Sequence, residues 1–328
     1  MLLRLIKTNR NAGFLLFPFI IAGVCFYLIN SQHPQLSGSD ENVFILFGYI
    51  QHFLNGYILL KTILASAVIF IVSLFLFRIN REFLFLNSWS ALPVILFIVL
   101  TIGIPEYGLF HPIWFSFLFL IPGVIRLLNS FDLRRPYANV FEAGFFLSLG
   151  SLFYFNLIFL LPAFIIAGRM MVRDPHWREP FLVFLGAFVP WLLVFSTYFL
   201  IDRTPVLMQW MKNSMFLRGE SILKNIPLLV YLAFVGILTF LGSLTIIRQY
   251  GEKKVRFRRF FLFFFLLFVS AVLSFVLIPG SSSEIFIIAA LPVSFLLSNY
   301  FDSMKRGLFG EVVFGLIIGF VVFLRLFG

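Results

Sequence analysis

Apolar runs of roughly 15–25 residues recur along the whole chain, with only short polar segments between them. A helix needs about 20 consecutive apolar residues to cross the hydrocarbon core of a bilayer. A soluble domain of 328 residues, 61% of them hydrophobic and 12% charged, could not bury that much apolar surface. The sequence therefore predicts an all-α, polytopic transmembrane helix bundle, a single integral membrane domain over residues 1–328. Phenylalanine occurs 49 times, and we expect most of these rings to face lipid.

The alternation of apolar segments and breaks predicts about eleven spans. The apolar stretch 138–168 is too long for one ordinary span, and SLFYFN at 151–156 is typical of the tip of a tight helical hairpin. Each arm would be about 20 Å long, against a hydrocarbon core of about 30 Å, so two spans and a re-entrant pair both stay open. The predicted spans are 12–29, 56–77, 89–104, 112–125, 138–151, 155–168, 181–200, 225–247, 260–278, 284–300 and 308–327.

Lysine and arginine are distributed unevenly between the two sides that this layout creates. Nineteen of the 25 fall on the side of the N-terminus, as expected for positively charged cytoplasmic loops. The long outer loops are then 30–55 and 201–224, each with a segment suited to an interfacial helix. The basic run 248–259 is expected to anchor the topology against anionic lipid, with a binding patch as the alternative. The net charge of +11 follows from the same rule, so membrane lipids and not nucleic acid are the expected partners.

The cysteine and histidine content argues against several kinds of site. Cys25 is the only cysteine, which rules out a disulfide framework and a cysteine metal site. The four histidines show no HxxxH or HExxH spacing, so we expect no metal site. The spans contain almost no ionisable residue at mid-membrane, which argues against an ion-coupled transporter.

Polar residues concentrate instead in the predicted outer loops. Asp40 and Glu41 form the only adjacent acidic pair and precede a run that has apolar residues at helical spacing and includes His52. Capping of that helix is the simplest role for these acids. An acid–base role requires a partner from another loop, for which the candidates are His111, Asp202, Arg203 and Glu284. In the second outer loop Arg203, Lys212 and Arg218 are candidates to hold a phosphate or pyrophosphate head group, with ordinary surface cations as the alternative.

Three landmarks together resemble the GT-C class of membrane glycosyltransferases, which take sugars from polyprenyl-phosphate donors at the outer face. An N-terminal span is followed by the acidic pair and by FLNG at 53–56. Two short helices meet at an aromatic tip, GFFLSLG at 144–150 and SLFY at 151–154. Glu284 then leads into an apolar stretch that ends at Pro292.

The resemblance implies a transferase of the bacterial inner membrane, acting at the outer face on a polyprenyl-phosphate-linked sugar. Asp40, with Glu41 second, would act as a general base on the acceptor hydroxyl, or would help to hold a divalent cation, with no other cofactor. The substrate and the lipid phosphate would be held by a set of outer-loop residues: His52, His111, Arg203, Lys212, Arg218 and Glu284.

A second resemblance rests on VFEAGF at 140–145 and HWREP at 176–180, which are similar to a family of uncharacterised bacterial inner-membrane proteins. It implies that Glu142, Trp177, Arg178 and Glu179 on the inner face matter for the structure or for docking a protein partner at the cytoplasmic loops. Two further functions therefore stand beside the transferase. One is a non-catalytic membrane subunit or scaffold of an envelope assembly or secretion machine. The other is a lipid flippase or transporter.

Overall fold

The computed structural model describes residues 45–54, 56–83, 90–102, 110–216, 226–248, 255–278, 284–304 and 308–327. Every regular element in these ranges is helical, which confirms the predicted all-α class. The first predicted span and the residues Asp40, Glu41 and Arg218 lie outside them. The elements are α1 Ile45–Phe53, α2 Ile58–Phe83, α3 Leu92–Ile102, α4 Pro112–Asn129, α5 Tyr137–Phe153, a 3₁₀ helix Phe155–Leu160, α6 Leu161–Met171, α7 Arg178–Leu200, α8 Thr204–Phe216, α9 Ile226–Arg248, α10 Val255–Leu277, α11 Ile285–Ser303 and α12 Leu308–Phe327.

Six of the described helices, α2, α4, α7, α9, α10 and α11, are long and apolar enough to cross a membrane. Three apolar stretches are shorter: Leu92–Thr101, Phe155–Met171 and Phe309–Leu324. Length and composition thus support a membrane helix bundle. The count of eleven spans stays a prediction.

The predicted hairpin is present in the region 137–171. Helix α5 ends at Phe153, and Tyr154 is extended, with φ −137° and ψ 103°. The 3₁₀ helix then leads directly into α6. The backbone N–H of Asp132, just before α5, donates to the carbonyl of Met171 at the end of α6, at 3.1 Å. The chain therefore returns to the end of the bundle from which α5 started.

Helices α5 and α7 approach so closely that their backbones touch. A Cβ added at Gly144 would collide with the Val183 carbonyl of α7, and one at Gly186 would collide with the Phe141 carbonyl of α5. Small residues permit such contacts between membrane helices, where dispersion attraction replaces a hydrophobic driving force. Glycine is therefore required at both positions.

Phenylalanine is divided between the core and the surface, and the expectation that most rings face lipid stays a prediction. Edge-to-face and offset packing of rings fills the interior, for example Phe97 on Phe117 at 5.3 Å and Phe264 on Phe295 at 4.7 Å between centroids. The rings that are almost fully buried are those of Phe97, Phe117, Phe164, Phe260, Phe263, Phe264, Phe295 and Phe301.

The helix termini gather at two ends of the bundle. The end that carries His111 and Glu284 also carries the α7–α8 connection, and we call it the His111 end. The opposite end joins α4 to α5, α6 to α7 and the start of α10, and we call it the arginine-rich end. The side of the membrane on which each end lies remains the sequence-based prediction given above.

We expect Gly144→Ala and Gly186→Ala each to destabilise the protein by about 1–3 kcal/mol, because the new methyl group forces the helices apart. Thermal unfolding of the purified full-length chain in detergent measures this. Gly319→Ala on α12 is the matched control, since a Cβ there meets open space and alanine is the better helix former. A melting temperature of Gly144→Ala equal to that of the control would contradict the close crossing.

The predicted orientation is tested in spheroplasts that express variants in which Cys25 is replaced and one new cysteine is introduced. A membrane-impermeant maleimide then labels the cysteines that face the outside. His176 and Lys212 are both exposed, at opposite ends of the bundle. We expect Lys212→Cys to be labelled directly and His176→Cys only after permeabilisation. The opposite pattern would invert the topology.

Candidate functional site

His111 and Glu284, two of the residues predicted for the site, lie in direct contact although 173 positions separate them. His111 precedes α4 and Glu284 precedes α11, and the distance from His111 Nε2 to Glu284 Oε1 is 3.2 Å. The His111 side chain is 1% exposed and that of Glu284 is 16% exposed. The pair is thus largely withdrawn from solvent, and Glu284 is the member that a ligand can reach.

Hydrogen bonding defines which nitrogen of His111 carries the proton. His111 is the N-cap of α4, and its Nδ1 accepts from the backbone N–H of Ile113 at 3.4 Å. Because a neutral imidazole has one donor and one acceptor nitrogen, Nε2 then carries the hydrogen and donates it to Glu284. The cap therefore orients the imidazole toward the carboxylate, an arrangement suited to holding and passing a proton.

Aromatic side chains fix the segment around His111. The ring of Phe47 on α1 lies 5.0 Å from that of Phe110 and 5.5 Å from that of Phe115. The Lys61 ammonium lies over the Phe110 ring at 5.8 Å. The helix predicted to follow the acidic pair is therefore docked beside the His111 segment, with His52 on its exposed side.

Helix α8 packs on the tip of the hairpin through a tryptophan cluster. The Phe155 ring contacts those of Trp191 and Trp210 edge-on, at 5.6 and 5.5 Å. Trp191 Nε1 donates to Ser151 Oγ at 2.9 Å. Ile45 of α1 belongs to the same buried cluster. Helix α1 thus touches both the His111 segment and the tip.

Two buried polar atoms flank Phe155 without a partner among the described residues, Nε1 of Trp210 and Oδ1 of Asn156. Buried polar groups are normally hydrogen-bonded, so such atoms require an explanation. They leave a donor and an acceptor at the tip of the hairpin, inside an otherwise apolar cluster.

Arg203 lies at the elbow between α7 and α8 and is exposed. Its backbone N–H donates to the Tyr198 carbonyl at 2.9 Å, and the preceding Asp202 has a left-handed backbone, with φ 54°. The Tyr198 side chain hydrogen-bonds Tyr49 of α1, with the Arg203 charge acting on the same phenol. The elbow is therefore tied to α1, and its guanidinium faces solvent.

An apolar cleft of about 240 Å³ lies in the half of the bundle next to the pair. Its wall on α11 begins at Phe286, two residues after Glu284, and reaches Val293, about 12 Å from the start of the helix. Tyr231 spans it from α9 and donates to the Leu100 carbonyl of α3 at 3.3 Å. A Cβ on Gly236 would meet open space there. The lining of the cleft is apolar, as a hydrocarbon-chain site requires.

The chain belongs to DUF6427, a family of unknown function. The model of this family matches residues 41–327. No curated protein and no solved structure matches the chain. Membership in DUF6427 agrees with the resemblance to an uncharacterised family. These comparisons give no support to the GT-C resemblance, which stays a prediction.

Only some of the site residues predicted for this DUF6427 protein lie together among the described residues. His111 and Glu284 meet, whereas no described contact joins His52, Arg203 or Lys212 to them, and all three are exposed. Within the part of the chain that the structure describes, no group of three or more His, Cys, Asp or Glu is placed to hold a metal ion. Asp40, to which a cation was assigned, is not in that part.

Sequence reasoning missed the cleft and the two unpaired polar atoms at the tip. A signal for the cleft exists in hindsight, since Ala289, Ala290 and Gly236 are small residues in helices otherwise rich in leucine and phenylalanine. No local signal predicts that the indole of Trp210 is buried without an acceptor.

We expect His111→Ala to lower the stability of the protein by about 1 kcal/mol more than His111→Asn, because asparagine restores an acceptor for the Ile113 N–H and alanine does not. Thermal unfolding of the two variants measures the difference. Equal melting temperatures would show that the cap on α4 contributes nothing.

Proposed function

We propose that this protein is a membrane transferase, similar to the GT-C class, that acts on a lipid-linked sugar at the His111 end of the bundle. The observation that carries the proposal is the His111–Glu284 pair, largely buried beside an apolar cleft that begins two residues from Glu284. A carboxylate oriented by a histidine and placed next to a hydrocarbon site fits a substrate with a reactive head and an apolar tail. The location that follows is the bacterial inner membrane, with the His111 end outside.

In the proposed reaction an acceptor hydroxyl attacks the anomeric carbon of the donor. The new glycosidic C–O bond forms as the C–O bond to the lipid phosphate breaks, and the leaving phosphate keeps the electron pair. The hydroxyl proton passes to the Glu284 carboxylate, which His111 orients through Nε2–H. Asp40 and Glu41 are the alternative base that the resemblance implies.

The remaining groups are assigned to binding. The cleft between α9, α10 and α11 receives part of the hydrocarbon chain. The cations of the predicted second outer loop, Arg203, Lys212 and Arg218, neutralise the leaving phosphate.

The test measures release of polyprenyl phosphate from a polyprenyl-phosphate sugar by the purified full-length protein, with a membrane extract as acceptor source. We expect Glu284→Gln to reduce turnover by about 100-fold or more, because it removes the base. Its melting temperature should stay close to wild type, since the amide oxygen still accepts from His111. Asp40→Asn with Glu41→Gln is run in parallel. Full turnover of Glu284→Gln would refute its role as the base, and full turnover of both variants would refute both base assignments. No release of polyprenyl phosphate by the wild-type protein would refute the transferase.

The same assay also tests whether the cleft binds the hydrocarbon chain of the donor. Gly236→Leu fills the cleft and is expected to raise KM for a long-chain donor, with little effect on a farnesyl-phosphate analogue. Gly319→Leu, in open space on α12, is the matched control. An equal effect on both donors would mean that the chain binds elsewhere.

A non-catalytic membrane subunit is the second candidate, and one observation favours it. Trp177 at the arginine-rich end is 71% exposed and lies 6.0 Å from the exposed Phe181 ring, beside Arg178. An exposed aromatic pair next to a cation fits a protein contact. Complementation that fails in Trp177→Ala with Arg178→Gln, but succeeds with Asp40, Glu41 and Glu284 neutralised, would favour this function over the transferase.

A further inference from the structure

We propose that the arginine-rich end contains a binding site for the phosphate head group of an anionic phospholipid, formed by Arg256 and Arg259. This site is at the opposite end of the bundle from His111 and does not depend on the proposed transferase activity.

Three segments meet at the site. They are the connection 130–136 between α4 and α5, the turn 172–177 between α6 and α7, and the first turn of α10. The Asp132 N–H donates to the Met171 carbonyl at 3.1 Å, which joins the first two segments. Arg259 Nη1 donates to the Val172 carbonyl at 3.2 Å, which joins the second to α10. The arginines therefore stand on a connected framework.

Phenyl rings hold both guanidinium groups in place. The Arg256 guanidinium carbon lies 5.5, 6.0 and 5.2 Å from the ring centroids of Phe83, Phe131 and Phe260. That of Arg259 lies 5.7 Å from the Phe131 centroid. Because both lie against one ring, the two carbons are at most about 12 Å apart. The two cations are thus ordered together before any anion binds.

Arg256 and Arg259 have no carboxylate partner in the described part of the protein. Arg256, Arg258 and Arg259 fall within the first five residues of α10, and no acidic residue lies in its first turn. Helix N-termini favour anions and disfavour cations. Within the described ranges, neither Arg256 nor Arg259 forms an ion pair, and the acids of the two neighbouring segments, Asp132 and Asp174, are not within 4.0 Å.

Other arginines at the same end are neutralised within the chain. Arg78 pairs with Glu82 at 2.7 Å, and Arg126 pairs with Glu142 at 2.7 Å. The fold supplies carboxylates to some arginines, whereas the contacts of Arg256 and Arg259 with the described residues are ring faces and one carbonyl. Guanidinium groups with unused donors bind phosphate oxygens in a bidentate manner.

The surroundings select a lipid as the source of the phosphate. Leu133, Tyr137 and Trp177 in the adjoining segments are exposed apolar or aromatic residues. Aromatic residues at the end of apolar helices lie at the level of lipid head groups. A phosphodiester in that layer therefore faces Arg256 and Arg259 while its acyl chains remain beside the helices.

The experiment titrates phosphatidylglycerol or phosphatidylcholine into the full-length protein in detergent and follows the melting temperature. For wild type we expect a saturable rise with phosphatidylglycerol and not with phosphatidylcholine. Arg256→Gln with Arg259→Gln should weaken binding and raise the half-saturating lipid concentration by about tenfold or more. Arg78→Gln with Arg81→Gln removes the same charge from an exposed part of the same end and should leave it nearly unchanged.

Several outcomes would overturn the site. A wild-type protein that responds equally to both lipids does not select an anionic head group, which refutes the proposal. This outcome does not depend on the variants, so the test holds even where a variant fails to fold. An unchanged response in the Arg256 and Arg259 double variant, or an equal loss in the Arg78 and Arg81 control, refutes the assignment. A saturable rise with inorganic phosphate alone refutes a lipid as the occupant. Arg256→Lys with Arg259→Lys should bind less tightly, and full binding would refute the role of the guanidinium geometry.

Discussion

The backbone contact between α5 and α7 is the constraint on which the rest of the bundle depends. With Gly144 against the Val183 carbonyl of α7 and Gly186 against the Phe141 carbonyl of α5, the hairpin formed by α5, the 3₁₀ helix and α6 has one position against α7. Gly168 of α6 faces Val183 of the same helix, so both arms of the hairpin lie on it. Helices in lipid gain little from apolar burial itself, and close fit therefore decides which pairs form.

Both candidate sites follow from that position. At one end the hairpin tip presents Phe155 to Trp191 and Trp210, and α1 reaches from this cluster to the rings beside His111. At the other end the same hairpin returns Met171 to Asp132, next to Phe131 and the arginines of α10. One rigid element thus organises a polar pair at one end and a cationic pair at the other.

The sequence predicts the helices and the hairpin break, which depend on neighbouring residues. It does not predict contacts between segments that are distant in the chain. Hydropathy locates the helices because each apolar run in lipid must form its backbone hydrogen bonds within the run itself. The hairpin break is predicted within a few residues for the same reason. The buried side chains of α8 are Leu207 and Trp210, because the partner of this helix is the hairpin tip, which is distant in sequence. His111 and Glu284 were both predicted for the site, but their direct contact was not, since nothing local encodes a contact across 173 positions.

The two ends of the bundle differ in how their charged side chains are paired. This difference matches the two proposals, a reaction at the His111 end and lipid binding at the arginine-rich end. At the His111 end one carboxylate is largely withdrawn from solvent and contacts a capped imidazole, as the proposed proton transfer requires. At the arginine-rich end Arg256 and Arg259 are ordered on rings and given no carboxylate among the described residues, which suits a resident anion that never reacts. A protein that held its lipid at one end and processed another at the opposite end would need this asymmetry.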